Sequence, residues 1–167
     1  MSRPTRFNID PVTRICSGAV GQPGKRTFYL DVSNNDFAVR MWVEKEVLNI
    51  LSEAIDKALA DVGRGVSPED APPIGPSSFD GEFRSGQVGM AQDTEHRMIV
   101  LTFTDAEAGQ RAPYRLRCAA SYEKMSGLSR QMKAVYESGR PACPLCGGPM
   151  DPEGHVCPRS NGHRRLE

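Results

Sequence analysis

Hydrophobic and polar positions alternate along the first third of the chain in short runs separated by turn residues. The motif Ser17-Gly18-Ala19-Val20-Gly21 leads into Pro23 and Gly24, and residues 26–32 carry Phe28, Leu30 and Val32 at every second place. After Asn34, Asn35 and Asp36 a further run covers residues 37–43. Period-two patterning bounded by Gly, Pro, Asn and Asp is the signature of half-buried strands. The period then changes. Val47, Leu48, Leu51, Ala54, Ile55, Ala58, Leu59 and Val62 recur at the three- and four-residue spacing of one helix face, and Gly63 supplies the stop.

The second half repeats this order. Ser85-Gly86-Gln87-Val88-Gly89 echoes Ser17-Gly18-Ala19-Val20-Gly21, and strand-like runs follow at residues 97–103 and 114–118. A second helical face comes next, with Tyr122, Met125, Leu128, Met132, Val135 and Tyr136, ended by Gly139. Gly127 weakens it, since a mid-helix glycine costs about 1 kcal/mol against alanine. The glycines of the echoed motif fit strand or bulge positions where backbones approach closely. Neither a dinucleotide-binding glycine fingerprint nor a nucleotide-binding P-loop is present.

The pattern predicts an α+β fold: two pseudo-symmetric β-β-β-α halves, about residues 15–63 and 83–139, packed as a sandwich or open barrel, because a three-stranded unit cannot bury its face alone. Between them, residues 64–78 carry Pro68, Pro72, Pro73 and Pro76 without periodicity, which predicts an extended linker or loop. The body then spans residues 1–140, with a metal-binding tail at 141–167.

That tail brings in chemistry. Cys143-Pro144-Leu145-Cys146-Gly147-Gly148 is a thiolate knuckle: two intervening residues let both sulfurs converge on one ion, and the glycines let the backbone curl around it. His155 follows Cys146 after eight intervening residues, Cys157 stands two further on, and Ser160, a poor zinc ligand, stands where a fourth cysteine would fall. Cys143, Cys146, His155 and Cys157 are the predicted ligands of a structural zinc ion, with His163 the alternative fourth. A closed four-ligand shell leaves no place for a reactive water, so the metal substitutes for a core that so short a segment cannot build. Arg159, Arg164 and Arg165 are candidate anion or partner contacts beside a cluster of net charge about −1.

Composition narrows the function classes. Among 167 residues, 21 basic balance 21 acidic ones, so no global field draws the protein to nucleic acid or an anionic membrane. No apolar run is long enough to span a bilayer, and none follows Met1 as in a secretory signal. A cytoplasmic location follows, in which clustered cysteines hold metal rather than form disulfides. Cys16 and Cys118 stand alone in apolar segments and read as buried, inert thiols.

No nucleophile elbow, zincin helix or carboxylate pair marks a catalytic centre, and no catalytic residue is assigned. His96 falls in a turn, and Glu44, Lys45 and Glu46 open the first helix as a solvated turn. Trp42 and Phe37 read as core or sheet-face residues. The leading reading is a non-enzymatic adaptor or regulatory protein that binds another protein. One alternative is nucleic-acid association through the zinc knuckle and its arginines, although residues 141–167 hold no aromatic side chain for stacking a base. The other is an enzyme whose cleft between the halves is lined by Arg26, Arg40, Glu44, Arg84 or Arg97.

The stretches Phe7 to Pro11, Ser17 to Leu30 (SGAVGQPGKRTFYL), Val43-Glu44-Lys45-Glu46, Phe83-Arg84-Ser85-Gly86, and above all GRPACPLCG with DPEGHVCPRSNG from Gly139 to Gly162, resemble an actinobacterial family of unknown function, number 3090 among such families. The resemblance implies a soluble bacterial protein and brings no catalytic residue with it. The segment 119–136 departs from the alanine- and arginine-rich last helix of that family. The position of His163 is often aromatic there, which favours His155 as ligand.

Overall fold

A computed structural model describes residues 5–22, 24–63, 65–138, 143–148, 150 and 155–159. The elements run β1 (Arg6–Ile9), β2 (Arg14–Val20), β3 (Thr27–Ser33), β4 (Ala38–Val43), α1 (Lys45–Ala60), β5 (Gly81–Asp93), β6 (Met98–Asp105), β7 (Arg115–Ser121) and α2 (Tyr122–Glu137). All seven strands join one sheet in the order β1-β7-β6-β5-β4-β3-β2. The α+β class predicted from the patterning is the one observed.

Each run of alternating residues becomes a strand with one face buried. In β4, Val39, Met41 and Val43 are buried while Ala38, Arg40 and Trp42 are partly exposed. β2-β3-β4 and β5-β6-β7 are antiparallel meanders, and they meet where β4 runs parallel to β5 over residues 39–42 and 81–84. A parallel neighbour requires a crossover, and α1 with the segment after it supplies one. β1, which lies outside both predicted halves, pairs parallel to β7.

The sheet is strongly curled. The Val12 amide donates to Ala119 O of β7 and the next amide, Thr13, donates to Ser33 O of β3, at 2.8 and 3.0 Å. β7 and β3 lie four strands apart in the sheet, about 19 Å if it were flat. Adjacent amides reach both only because the sheet bends round toward an open barrel.

α1 and α2 pack on each other, and α2 touches both β2 and β6–β7. Leu48, Leu51, Ile55 and Leu59 of α1, with Met125, Leu128 and Met132 of α2, join Leu30, Val32, Met41, Ile99, Leu101 and Phe103 in one apolar core. Burying each such side chain contributes about 1.5–3 kcal/mol. α2 is capped at its start by the Ser121 hydroxyl, which accepts from the Lys124 amide. Gly63, at φ +78°, turns the chain after α1 where the sequence places a stop.

The described residues of the proline-rich segment, 65–78, form no helix or strand, and they are strapped across the body. The Glu69 amide donates to Glu123 O, and Lys124 pairs with the Glu69 carboxylate. A β-carbon on Gly127 would stand 1.6 Å from Glu69 O, so the glycine that weakens the helix is where the strap crosses it. Further on, Gln131 donates to Pro72 O and Arg14 to Ile74 O, carrying the strap past β2. Gly75 then packs against the buried Asp31 carboxylate on the far face of the sheet. The echoed glycines are close approaches: a β-carbon on Gly18 would meet the Tyr29 hydroxyl at 2.3 Å, and one on Gly89 the Thr102 hydroxyl at 2.5 Å.

Candidate metal centre

The tail knuckle is built by its own backbone. The Cys143 amide donates to Gly148 O at 2.7 Å and the Gly147 amide returns to Cys143 O at 2.8 Å, closing a tight loop over 143–148. Gly147 sits at φ +71°, a left-handed conformation that glycine adopts without cost. This curl aims two amides at sulfur: Leu145 N lies 3.4 Å from Cys143 Sγ, and Gly148 N lies 3.4 Å from Cys146 Sγ. N–H groups so placed stabilise thiolate charge.

The second arm brings His155 and Cys157 to the same point. Cys143 Sγ is 3.8 Å from Cys157 Sγ, and Cys146 Sγ is 3.4 Å from His155 Nε2. All four ligand atoms lie within 4.8 Å of one another. Metal–sulfur and metal–nitrogen bonds of about 2.3 and 2.0 Å in a tetrahedron put sulfurs about 3.8 Å apart and sulfur and nitrogen about 3.5 Å apart. The two close distances match that arrangement, so the four residues could hold one metal ion. Cys143 and Cys157 are buried, while Cys146 and His155 are half-buried.

Electrostatics within the cluster is that of thiols competing for charge. The Cys143 thiol is held below its ordinary range, first by the hydrogen bond from the Cys146 amide and further by the Leu145 amide and the neighbouring sulfurs. The Gly148 amide pulls Cys146 downward, but desolvation, hydrogen bonding with Cys157 and Cys143, and the charge of Cys143 outweigh it and leave Cys146 raised. A dication at the centre would relieve this repulsion and deprotonate all three.

The remaining predicted site residues fall in several places. Arg159 donates to Leu145 O at 3.4 Å and so links the second arm to the first. His163, Arg164 and Arg165 lie outside the described residues. His96 is in the β5–β6 turn, exposed, its ring 2.9 Å from Asp93. The candidate cleft residues are committed to separate neighbours. Arg26 reaches the Ser138 hydroxyl, Arg84 pairs with Glu44 and Glu107 in the open, and Arg97 lies near Glu123 and over the Tyr122 ring. Arg40 donates through Nε and Nη2 to the two Asp31 carboxylate oxygens, at 2.7 and 2.8 Å, and is stacked by Tyr29, Trp42 and Phe79. Trp42 is partly exposed on this sheet face, donating to Glu82.

Burial pushes Cys16 up to about 11, with Asp31 adding to it, and pushes Cys118 up to about 12. Both are buried thiols, as their apolar surroundings in the sequence indicate. Sequence reasoning missed the Asp31–Arg40 pair, although an aspartate inside a β-branched and aromatic run was a signal that something had to neutralise it.

A family model described as protein of unknown function (DUF3090) matches residues 7–157, a span that holds all four converging ligands. No curated protein and no solved structure matches the chain.

Proposed function

Because the chain belongs to the DUF3090 family, whose function is unknown, we propose that it is a cytoplasmic, non-enzymatic adaptor or regulatory protein that binds another protein through a tail shaped by structural zinc. The convergence of Cys143, Cys146, His155 and Cys157 carries this reading. Three soft sulfurs and one imidazole in tetrahedral spacing suit zinc, and four protein ligands complete its shell with no exchangeable position for a substrate. The metal's work is then to fix backbone that has few apolar contacts of its own.

What the fixed backbone offers is apolar. Leu145 is 57% exposed and Val156 96% exposed, one on each arm of the cluster. Two aliphatic side chains held out from a rigid loop suit a protein surface; no aromatic accompanies them to stack a nucleobase. The body, residues 1–140, acts in this reading as the scaffold from which residues 141–167 are displayed.

Metal analysis of the protein purified under reducing conditions tests the site. One zinc per chain is expected, lost in Cys143→Ser and His155→Ala and kept in His163→Ala. Wild-type protein free of metal, with idle thiols, refutes the reading. Its adaptor part is tested by native co-purification: Leu145→Glu with Val156→Glu should release the partner at unchanged zinc content. A partner retained by that variant, or turnover of a metabolite by the isolated chain, overturns the adaptor role.

A further inference from the structure

The open backbone at the sides of the sheet is treated in two ways. β2 pairs with β3 on one side only, and its other side is covered by α2 and the strap, with the Ser17 amide bound to Gln131 and Arg14 bound to Ile74 O. β5 is left bare. Only its first residues, 81–84, pair with β4, because β4 ends at Val43 and the chain turns into α1 at Lys45. Beyond Arg84, β5 pairs with β6 alone, and among the described residues no strand lies on its other side.

Gly86, Gln87, Met90, Ala91 and Gln92 are all exposed. In an antiparallel pair every second residue points both its N–H and C=O away from the partner, so from Val88 onward this strand presents unused donors and acceptors, whereas the Gln87 amide and carbonyl both meet the Thr104 hydroxyl. Exposed edges are normally blunted by charge, proline or a twist. Residues 85–92 contain neither charge nor proline, and the single bulge falls between Ser85 and Val88, leaving 88–93 in regular register with β6. Met90 stands opposite Leu101, a core position, yet it is 38% exposed.

We propose that residues 88–92 of β5 are a homodimer interface, in which the same segment of a second copy adds antiparallel about a twofold axis through Met90. In that register Met90 faces its own counterpart, Gly89 faces Ala91, Val88 faces Gln92, and Gln87 faces Asp93. No charge meets a like charge, and the bare Met90 side chains cover each other on the face that elsewhere packs on the helices. Gly89 and Ala91 leave the other face unobstructed. The turn bearing Asp93 and Glu95 in one copy comes alongside Arg84 in the other, whose guanidinium is already shared by Glu44 and Glu107, so charge at the ends adds nothing to the junction. The result is one sheet continuous through both molecules.

Light scattering or sedimentation of the full chain, reduced and with its metal, should give about twice the 18.3 kDa of one chain. Met90→Lys and Met90→Glu each place like charges face to face on the axis, and each should run as a monomer with the far-UV spectrum of the parent. An equimolar mixture of the two should recover the double mass, as a heterodimer by native mass spectrometry. A wild-type chain of single mass up to sub-millimolar concentration overturns the proposal, including one whose edge is taken instead by a strand of another protein. So does a dimer that survives Met90→Lys, or a mixture that fails to associate.

Discussion

The side-chain carbonyl of Gln131, in the middle of α2, accepts the Ser17 amide of β2 at 2.7 Å, and its NH2 group donates to Pro72 O at 2.9 Å. One amide thus closes the outer side of β2 and pins the strap over it. Both ends of this bridge are main-chain groups in part-buried surroundings. Leaving such a group unpaired costs about 1–3 kcal/mol. Gln131→Leu keeps the side-chain volume and removes both bonds, so chemical denaturation should show a loss of at least that size, with faster proteolysis within residues 65–78. An unchanged midpoint would mean that water replaces Gln131 without cost.

Gly127→Ala should destabilise the protein, against the helix-propensity expectation of a gain of about 1 kcal/mol. The added methyl would meet Glu69 O at 1.6 Å, and that atom is backbone, so the strap itself must move. A loss of about 1–3 kcal/mol is expected, as for overpacking in a core. A stabilised variant in urea would show that the strap does not rest on α2 in solution.

The Asp31 carboxylate is fully buried, and its partner Arg40 keeps 19% of its side chain exposed. Arg40→Met leaves that charge without a counterion and should cost about 3–5 kcal/mol by thermal or chemical denaturation. Adding Asp31→Asn should recover part of the loss, because no charge then remains buried. A double variant as unstable as the single one would locate the damage in the lost stacking on Tyr29, Trp42 and Phe79 instead.

Stability should fall as pH rises above about 9. Cys16 is held at about 11 in the folded protein against 9.0 for a free thiol, so the unfolded chain releases its proton first. Above 9 the unfolded state therefore binds fewer protons than the folded one, and alkali favours unfolding. The contribution is intact below 9 and lost by about 11. Cys16→Ala should flatten this part of the denaturation profile. Thiol labelling at pH 8 should reach Cys16 and Cys118 only in denaturant.

Chelation should separate tail from body. With the ion removed, the segment 143–157 should become rapidly cleaved by protease, while β1–β7 and both helices keep their far-UV signature. Loss of body structure on chelation, read by circular dichroism, would show that the two units are not independent.

The sequence alone determined what depends on near neighbours along the chain. The period of two at Phe28, Leu30 and Val32 and the three-and-four spacing from Leu48 to Leu59 fix which side of each element is apolar, and any compact fold must bury those sides. The convergence of Cys143, Cys146, His155 and Cys157 was likewise readable, because a CxxC loop closes on itself within six residues, whatever the body does. Tertiary structure decided what depends on residues distant in sequence. No local pattern pairs Gln131 with Ser17, sets Gly127 under Glu69, matches Arg40 to Asp31 across two strands, or leaves β5 longer than its neighbour β4. β1, four residues long, has too little period to be read, and it exists because the curled sheet brings β7 and β3 to either side of Val12 and Thr13. Polar partners, close approaches and free edges are set by where whole elements pack, and packing is a property of the assembled core rather than of any segment within it.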